Sequence, residues 1–349
     1  MGMIKLPPQS INYFKNNIDQ IFQSGNLAEG PWAEKLSEKI KLITKVKYAV
    51  PTCSNGSGIV GLLQIYKEHY NRKSVLIQSN TMYGVKTMVK SGGCELAGYI
   101  QCRLETLMPA FDDVERAVND YEGNNGELII LLSDIGGIIN PDEEKISAYC
   151  RDHNIILIED CAHSLGATLN GKHAGTFGDA GVYSFYATKA IFAGEGGIVV
   201  TNNSEIGDLI KRFTIYDRFD QKLDIGINIR PSEVQSLMIY SVVMEIENII
   251  LNKSVIAKEY IDVCNTLKIP FINQDTEMHK GNYYKFVIFS KNNDINEYLP
   301  SLTTVTSNVY DYALGDSKGI RQKHACLPIW YGQDIEVTEK VLSELKSCF

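Results

Sequence analysis

Residues 155–201 read IILIEDCAHSLGATLNGKHAGTFGDAGVYSFYATKAIFAGEGGIVVT. An apolar run, 155–158, ends on Glu159-Asp160. Glycine-rich connections follow, and a second apolar run ends at Ser184-Phe185-Tyr186. Lys189 comes next, and Gly196-Gly197 open a third apolar run. An acid, a histidine, a serine and a lysine therefore stand where buried strands end or loops begin. In an open α/β sheet, that is where sites are built.

The rest of the chain fits such a sheet. Short apolar segments at 74–79, 94–100 and 128–132 alternate with helical patterns at 83–90, 111–118 and 142–153. Buried strands separated by helices predict a mostly parallel sheet covered on both faces. Upstream, Ser10 is expected to cap a helix in which Ile11, Phe14, Ile18 and Ile21 recur, and Gly30-Pro31-Trp32 to open a second. Tyr48 to Thr52 runs into Cys53-Ser54-Asn55-Gly56-Ser57-Gly58, which opens a further helix. Such a turn offers free N–H groups and a positive dipole end, a cradle for phosphate, and it also serves as an ordinary cap. Beyond 201, a helix at 205–213, a short polar link and Asn228-Ile229-Arg230-Pro231 precede a long helical pattern reaching about 267. A strand at 286–289 and a terminal helix at 336–346 complete a smaller α+β domain. The expected division is 1–244 for the large domain and 245–349 for the small one.

Composition sets bounds. The chain has 349 residues, 44% hydrophobic and 22% charged, an ordinary globular balance. A net charge of −8 disfavours nucleic acid as partner. No apolar stretch approaches the ~20 residues that span a bilayer, and residues 1–15 lack the apolar core of a signal peptide. The eight cysteines form no C-x-x-C pair and read as reduced thiols. The expected location is the cytoplasm.

The chemistry starts from Lys189. Burial against a strand lowers a lysine's pKa, which suits an amine that forms a Schiff base. Asp160 at a buried strand end needs a partner. A pyridinium nitrogen is one, and a capped helix or a salt bridge are others. His163 suits contact with a cofactor ring or a structural role. Ser184 suits a phosphate oxygen or a plain strand end. Gly194-Glu195-Gly196-Gly197 precedes a strand instead of opening a helix, so it is no dinucleotide fingerprint.

With these residues in view, 159–201 resembles the core of the DegT/DnrJ/EryC1/StrS sugar aminotransferases. Their pattern is roughly E-D-A-A-[HQ]-x-x-G, then S-F-x-x-x-K, then G-E-G-G. Weaker similarity runs through Ser24-Gly25 to Gly30-Pro31, Gly56-Ser57, Gly226 to Arg230 and Leu327-Pro328. The resemblance implies the fold of pyridoxal 5'-phosphate (PLP) enzymes of fold type I, with a seven-stranded, mostly parallel sheet between helices. It implies PLP as cofactor, with pyridoxamine 5'-phosphate as its intermediate form. Lys189 would be the Schiff-base lysine and proton shuttle, and Asp160 would pair with the pyridine nitrogen. Gly56, Ser57 and Ser184 would hold the phosphate, and His163 would sit near the ring. Asn228 would reach the phosphate site of the neighbouring subunit, which implies a homodimer with shared sites. The implied donor is glutamate. The implied acceptor is a keto-sugar, nucleotide-linked, in polysaccharide or antibiotic sugar biosynthesis.

Three segments depart from the family pattern. Met82 stands where an aromatic usually covers the ring, with Tyr83 beside it. Ser133-Asp134-Ile135-Gly136-Gly137 lacks the histidine of the H-x-x-G segment. The link from 213 to Asn228 is short, leaving room for a smaller keto-phosphate or keto-cyclitol. A sugar dehydratase of the same family is a further reading, against which Lys189 counts, because one dehydratase branch replaces this lysine by histidine. A non-catalytic relative is the last.

Overall fold

The computed structural model describes residues 5–290, 302–309 and 323–349. Its centre is a seven-stranded sheet in the order β1-β9-β8-β5-β4-β2-β3. The strands are β1 (Tyr48–Thr52), β2 (Ser74–Gln78), β3 (Glu95–Ile100), β4 (Leu128–Ser133), β5 (Ile156–Cys161), β8 (Ala180–Ser184) and β9 (Gly197–Thr201). β9 runs antiparallel to both its neighbours, and the other adjacent pairs are parallel. Apolar clusters cover both faces. One gathers Ile59, Val85, Val182 and Phe213, and another gathers Leu36, Ile40, Phe185 and Ile239. Strands β2, β4 and β8 are buried along their whole length, as the apolar runs require.

Helices α1 (Pro8–Ser24) and α2 (Pro31–Thr44) precede the sheet. α3 (Asn55–Tyr70), α4 (Tyr83–Ser91), α5 (Phe111–Asn119), α6 (Glu143–Asp152) and α7 (Ser204–Phe213) follow strands. Ser10 does not cap α1. Pro8 opens that helix, where its missing N–H costs nothing, and Ser10 lies buried inside it.

The long pattern after Pro231 is two helices, α8 (Glu233–Val243) and α9 (Ile246–Leu267), bent by 51°. No glycine or proline marks the bend. α8 places Ile239 and Val242 in the large sheet's core and Leu237 in a cluster with Ile21 and Trp32, while α9 starts in the sheet's core with Ile246 and Ile249 and carries Ala257, Tyr260 and Cys264 into a separate C-terminal cluster. The proposed domain division at 244/245 would fall in this bend. The C-terminal cluster also takes residues from β11 (Phe286–Phe289), β12 (His324–Leu327) and α10 (Ile335–Cys348). A small sheet unforeseen from sequence joins β6 (Thr168–Leu169) to β7 (Lys172–His173) and β10 (His279–Lys280). Among the described residues, no single helix is long and apolar enough to cross a membrane.

Gly197 fixes how closely β9 approaches the start of α3. A Cβ there would lie 2.4 Å from the Ser54 carbonyl carbon and 2.5 Å from the Asn55 nitrogen. Backbone atoms cannot move aside as a side chain would. Gly197→Ala is expected to lower the unfolding free energy by about 1–3 kcal/mol, read from the urea midpoint.

Candidate active site

The ends of β1, β4, β5 and β8 meet at one edge of the sheet, and their polar termini form one site. Asp160, next to last on β5, is buried. Its Oδ1 accepts from Asn55 Nδ2 at 2.9 Å and from the Ala162 N–H at 3.2 Å, and its Oδ2 accepts from Ser133 Oγ at 3.2 Å. Thr81 Oγ1 is 2.8 Å from that Ser133 hydroxyl and supports it from behind. A carboxylate offers about four acceptor positions, so three donors leave one on Oδ2. Burial pushes the Asp160 carboxyl up from its ordinary range, and the donors and Lys189 pull it back.

Lys189 follows β8 on the loop that returns as β9. That loop is held by its own backbone. Phe185 donates to the Gly196 carbonyl, Ala187 to Gly194 and Lys189 to Tyr186, each at 2.9 Å. The Lys189 side chain is half-buried, and its Nζ lies 5.2 Å from the centre of the Tyr284 ring. Burial lowers its pKa to about 8; the Asp160 charge opposes this shift and Lys285 adds to it. The result is an amine that sheds its proton close to neutrality.

The third wall is the start of α3. Ser54 is its N-cap, accepting from the Ser57 N–H at 3.1 Å, and Ser57 Oγ in turn accepts from the Ser54 N–H at 3.1 Å. The Gly58 N–H goes to the Ser54 carbonyl. Among the described residues, the N–H groups of Asn55 and Gly56 are left unclaimed at the positive end of the helix. The Ser57 hydroxyl also donates to the Ser54 carbonyl at 2.8 Å. Ser184 pairs with Gly197 across the β8–β9 ladder, and Gly197 presses on Ser54-Asn55, which brings Ser184 beside the same helix end. The Asn55 amide also reaches the Val182 carbonyl at 2.9 Å, locking α3 to β8.

The remaining residues stand at different distances from this centre. His163 is buried and faces Tyr284, ring centres 4.2 Å apart and tilted by 30°. Burial, with Lys189 and Lys285 nearby, holds it well below the ordinary histidine range, so it is neutral. Met82 precedes α4 half-buried, its methyl end turned toward Gly84, while Tyr83 is exposed. Asn228 is exposed, and its Oδ1 accepts from Arg230 Nη1 at 2.7 Å.

Sequence reading missed Asn55, Ser133, Tyr284, Lys253 and Lys285. Asn55 was within the motif but looked like a turn residue. Ser133 was singled out only for the histidine its segment lacks, and Tyr284, Lys253 and Lys285 lie far along the chain, in segments with no periodic signal of function. Lys285 Nζ donates to Thr306 Oγ1 at 3.2 Å and to the Ser307 carbonyl at 3.1 Å.

The chain has known relatives. The sequence model of the DegT/DnrJ/EryC1/StrS aminotransferase family matches residues 8–325. The chain belongs to this family. Its structure superposes on a DegT DnrJ EryC1 StrS aminotransferase from Brucella abortus with a TM-score of 0.80, at 18% identity over 99% of both chains. Helicobacter pylori PseC, an aminotransferase involved in the biosynthesis of pseudoaminic acid, gives 0.81 at 19% identity over 99% of this chain and 98% of that one. At such identities the likeness is one of fold. In sequence, the chain is 30% identical over 182 residues to the GDP-perosamine synthase of Vibrio cholerae, covering 52% of this chain and 47% of that one. Against the GDP-perosamine synthase of Escherichia coli O157:H7 it is 26% identical over 246 residues, covering 69% and 65%. The aligned stretches thus span about half to just under two thirds of these relatives.

Proposed function

We propose that this chain is a PLP-dependent aminotransferase that moves an amino group from an amino acid, glutamate first, to a keto-sugar. The observation that carries it is the pairing of a low-pKa lysine with a buried carboxylate that keeps one acceptor position open. The residues fit the cofactor. Asp160 would hold the pyridine nitrogen protonated, the α3 N-terminus with Gly56 and Ser184 would hold the phosphate, and His163 and Met82 would flank the ring. When bound, PLP supplies an electron sink for the substrate's reacting carbon. Lys189 takes up and releases protons at Nζ on one side of the site, as a neutral amine near pH 8 can. His163, neutral and packed on Tyr284, adds no competing charge.

The exposed Asn228, held by Arg230, supports a homodimer in which it reaches the partner's phosphate site. Light scattering would test that, with a dimer mass expected. The link after α7 favours a second reading of the acceptor. Asp217, buried there, accepts from Arg212 Nη1 at 3.2 Å and from the Leu223 N–H at 2.8 Å, which pins the link to its own chain. A pinned, short link suits a smaller keto-phosphate or keto-cyclitol.

The test is the half-reaction. The visible cofactor band should fade on adding glutamate, with 2-oxoglutarate released in equal amount, and a panel of keto-sugars and keto-phosphates should restore it. No oxo acid with any amino acid would sink the proposal. The pH dependence follows from Lys189. Below its pKa the amine is charged and cannot attack, so PLP capture by the cofactor-free protein should rise roughly tenfold per pH unit and level off above about 8. A lysine at the ordinary 10.5 would keep accelerating past pH 10.

A further inference from the structure

Residues 281–285 run from β10 to β11 and lean on the Gly136-Gly137 turn after β4. The Asn282 N–H donates to the Gly137 carbonyl at 3.0 Å and the Lys285 N–H to that of Gly136 at 2.9 Å. Tyr283, between them, has φ +53°, a left-handed conformation that is an outlier for a bulky residue. Such a conformation persists only where its surroundings over-determine it, and it gathers at functional sites. Two buried amides do so here. Gln274 Oε1 accepts from the Tyr283 N–H at 2.9 Å, and its Nε2 donates to the carbonyls of Gly136 at 3.1 Å and Lys285 at 2.6 Å. Asn282 Oδ1 accepts from the Tyr284 N–H at 2.9 Å, and its Nδ2 donates to the carbonyls of His163 at 2.8 Å and Leu165 at 2.9 Å. Gly137 leaves room for this clamp. A Cβ there would lie 2.6 Å from Asn282 Oδ1 and 2.7 Å from the Tyr284 nitrogen.

What the clamp presents is the Tyr284 ring. It lies against His163 and within cation–π reach of two amines, Lys189 Nζ at 5.2 Å and Lys285 Nζ at 5.5 Å. It also walls a narrow cleft that Lys189, Trp330 and, on α9, Lys253 line. The groups around the Lys189 amine are thus Asp160 from β5, His163 just after it, Lys285 before β11 and Lys253 from α9. Asp160 favours the charged amine and Lys285 the neutral one. His163 is neutral, and Lys253, buried with no ion pair among the described residues, is lowered to about 7. The ring itself acts on Lys189 in two opposed ways. As cover it excludes water and favours the neutral amine; as a π face it favours the charged one. At 5.2 Å the π attraction is modest, whereas burial is the largest cause of the fall from 10.5 to about 8, so cover wins.

We infer that Tyr284, aimed by Asn282, is a positioning residue: its ring, braced on His163, shields the Lys189 amine. The inference rests on the aminotransferase reading for the use made of Lys189, while the shielding itself can be measured without cofactor or turnover. The cofactor-free protein is labelled with trace acetic anhydride over a range of pH, and acetylation of the Lys189 peptide is read by mass spectrometry. Only the neutral amine reacts, so the wild-type midpoint is expected at about 8. Tyr284→Leu should raise that midpoint by about half a pH unit or more, and PLP capture at pH 7 should slow about threefold or more in step with it. Tyr284→Phe should leave both unchanged, because the ring and not the hydroxyl does the shielding. Asn282→Ala, which frees the ring from its aim, should move the midpoint in the same direction as Tyr284→Leu. A purely structural role would lower the urea midpoint of these variants and leave the Lys189 midpoint in place. An unchanged Lys189 midpoint in Tyr284→Leu overturns the inference, as does a Tyr284→Phe midpoint displaced as far as that of Tyr284→Leu. If Tyr284→Leu does not fold, an unchanged midpoint in Asn282→Ala overturns it. A raised midpoint in Tyr284→Leu, with no oxo acid released by the wild type from any amino acid, would support the shielding and count against the aminotransferase reading alone.

Discussion

Lys189→Ala is expected to yield a protein that folds, is colourless after dialysis, and transfers amino groups about 10³-fold more slowly or worse. The magnitude is that of losing a positioned general base together with the amine proposed to hold the cofactor covalently. The physical reason is local. Lys189 is the residue whose burial brings an amine to about pKa 8 within reach of the Asp160 charge. Lys253 and Lys285 also have lowered pKa values, but Lys285 is tied to Thr306 and Ser307, and Lys253 lies across the cleft on α9. Neither follows β8 beside Ser184. Borohydride treatment of the PLP-loaded wild type, followed by peptide mapping, should place the trapped cofactor on Lys189 and find none in Lys189→Ala. Adduct on another lysine, or unchanged turnover, would remove Lys189 from its role. Folding should survive, because the substitution removes a partly buried charge and leaves the loop's backbone bonds in place.

The second large effect belongs to Asp160. Asp160→Asn is expected to lower turnover on the order of 10²–10³-fold, comparable with the loss of one preorganised electrostatic contact. It should also loosen the cofactor, seen as a higher PLP concentration for half-saturation of the visible band. The amide keeps the carboxylate's shape but gives up its charge. Stability should move the other way. The folded protein raises the Asp160 pKa, so its native state binds a proton more readily than the unfolded chain does, and the charged form weighs against folding as pH rises. The neutral amide escapes that penalty. The cofactor-free variant should therefore melt no lower than the wild type at pH 7, even with turnover lost. A large drop in melting temperature would instead make Asp160 a structural residue serving Asn55 and Ser133.

Several elements were legible along the chain, and for one reason. Strands buried on both faces read as continuous apolar runs, and their ends are marked where polar residues begin. That is why β4, β5, β8 and β9, and with them Asp160, Ser184 and Lys189, stand out in sequence. The glycines around 194–197 mark a tight return before β9 in the same way, and Ser54 to Gly58 marks the start of α3. Local rules served less well where packing decided. Ser10 looks like a cap by type but is drawn into α1 because Pro8 already opens the helix. The 51° bend between α8 and α9 has no local signature. Packing on both sides of it decides: Ile239 and Val242 before the bend and Ile246 and Ile249 after it all enter the large sheet's core, and α9 then runs on to the C-terminal cluster.

The sequence by itself thus determined the sheet's strands and the chemical types at their ends, while the cofactor was implied by the family resemblance. These depend on short-range pattern, which a single chain displays. Only the tertiary structure decided what surrounds Asp160 and Lys189. Asn55 and Ser133 reach Asp160 from 105 and 27 residues away. Tyr284, Lys253 and Trp330 come to Lys189 from the C-terminal part. Such contacts are made by the order of strands in the sheet and by the bend that turns α9 toward the second core. No window of sequence contains both partners, so burial, lowered pKa values and an unpaired cation appear only once the chain has folded.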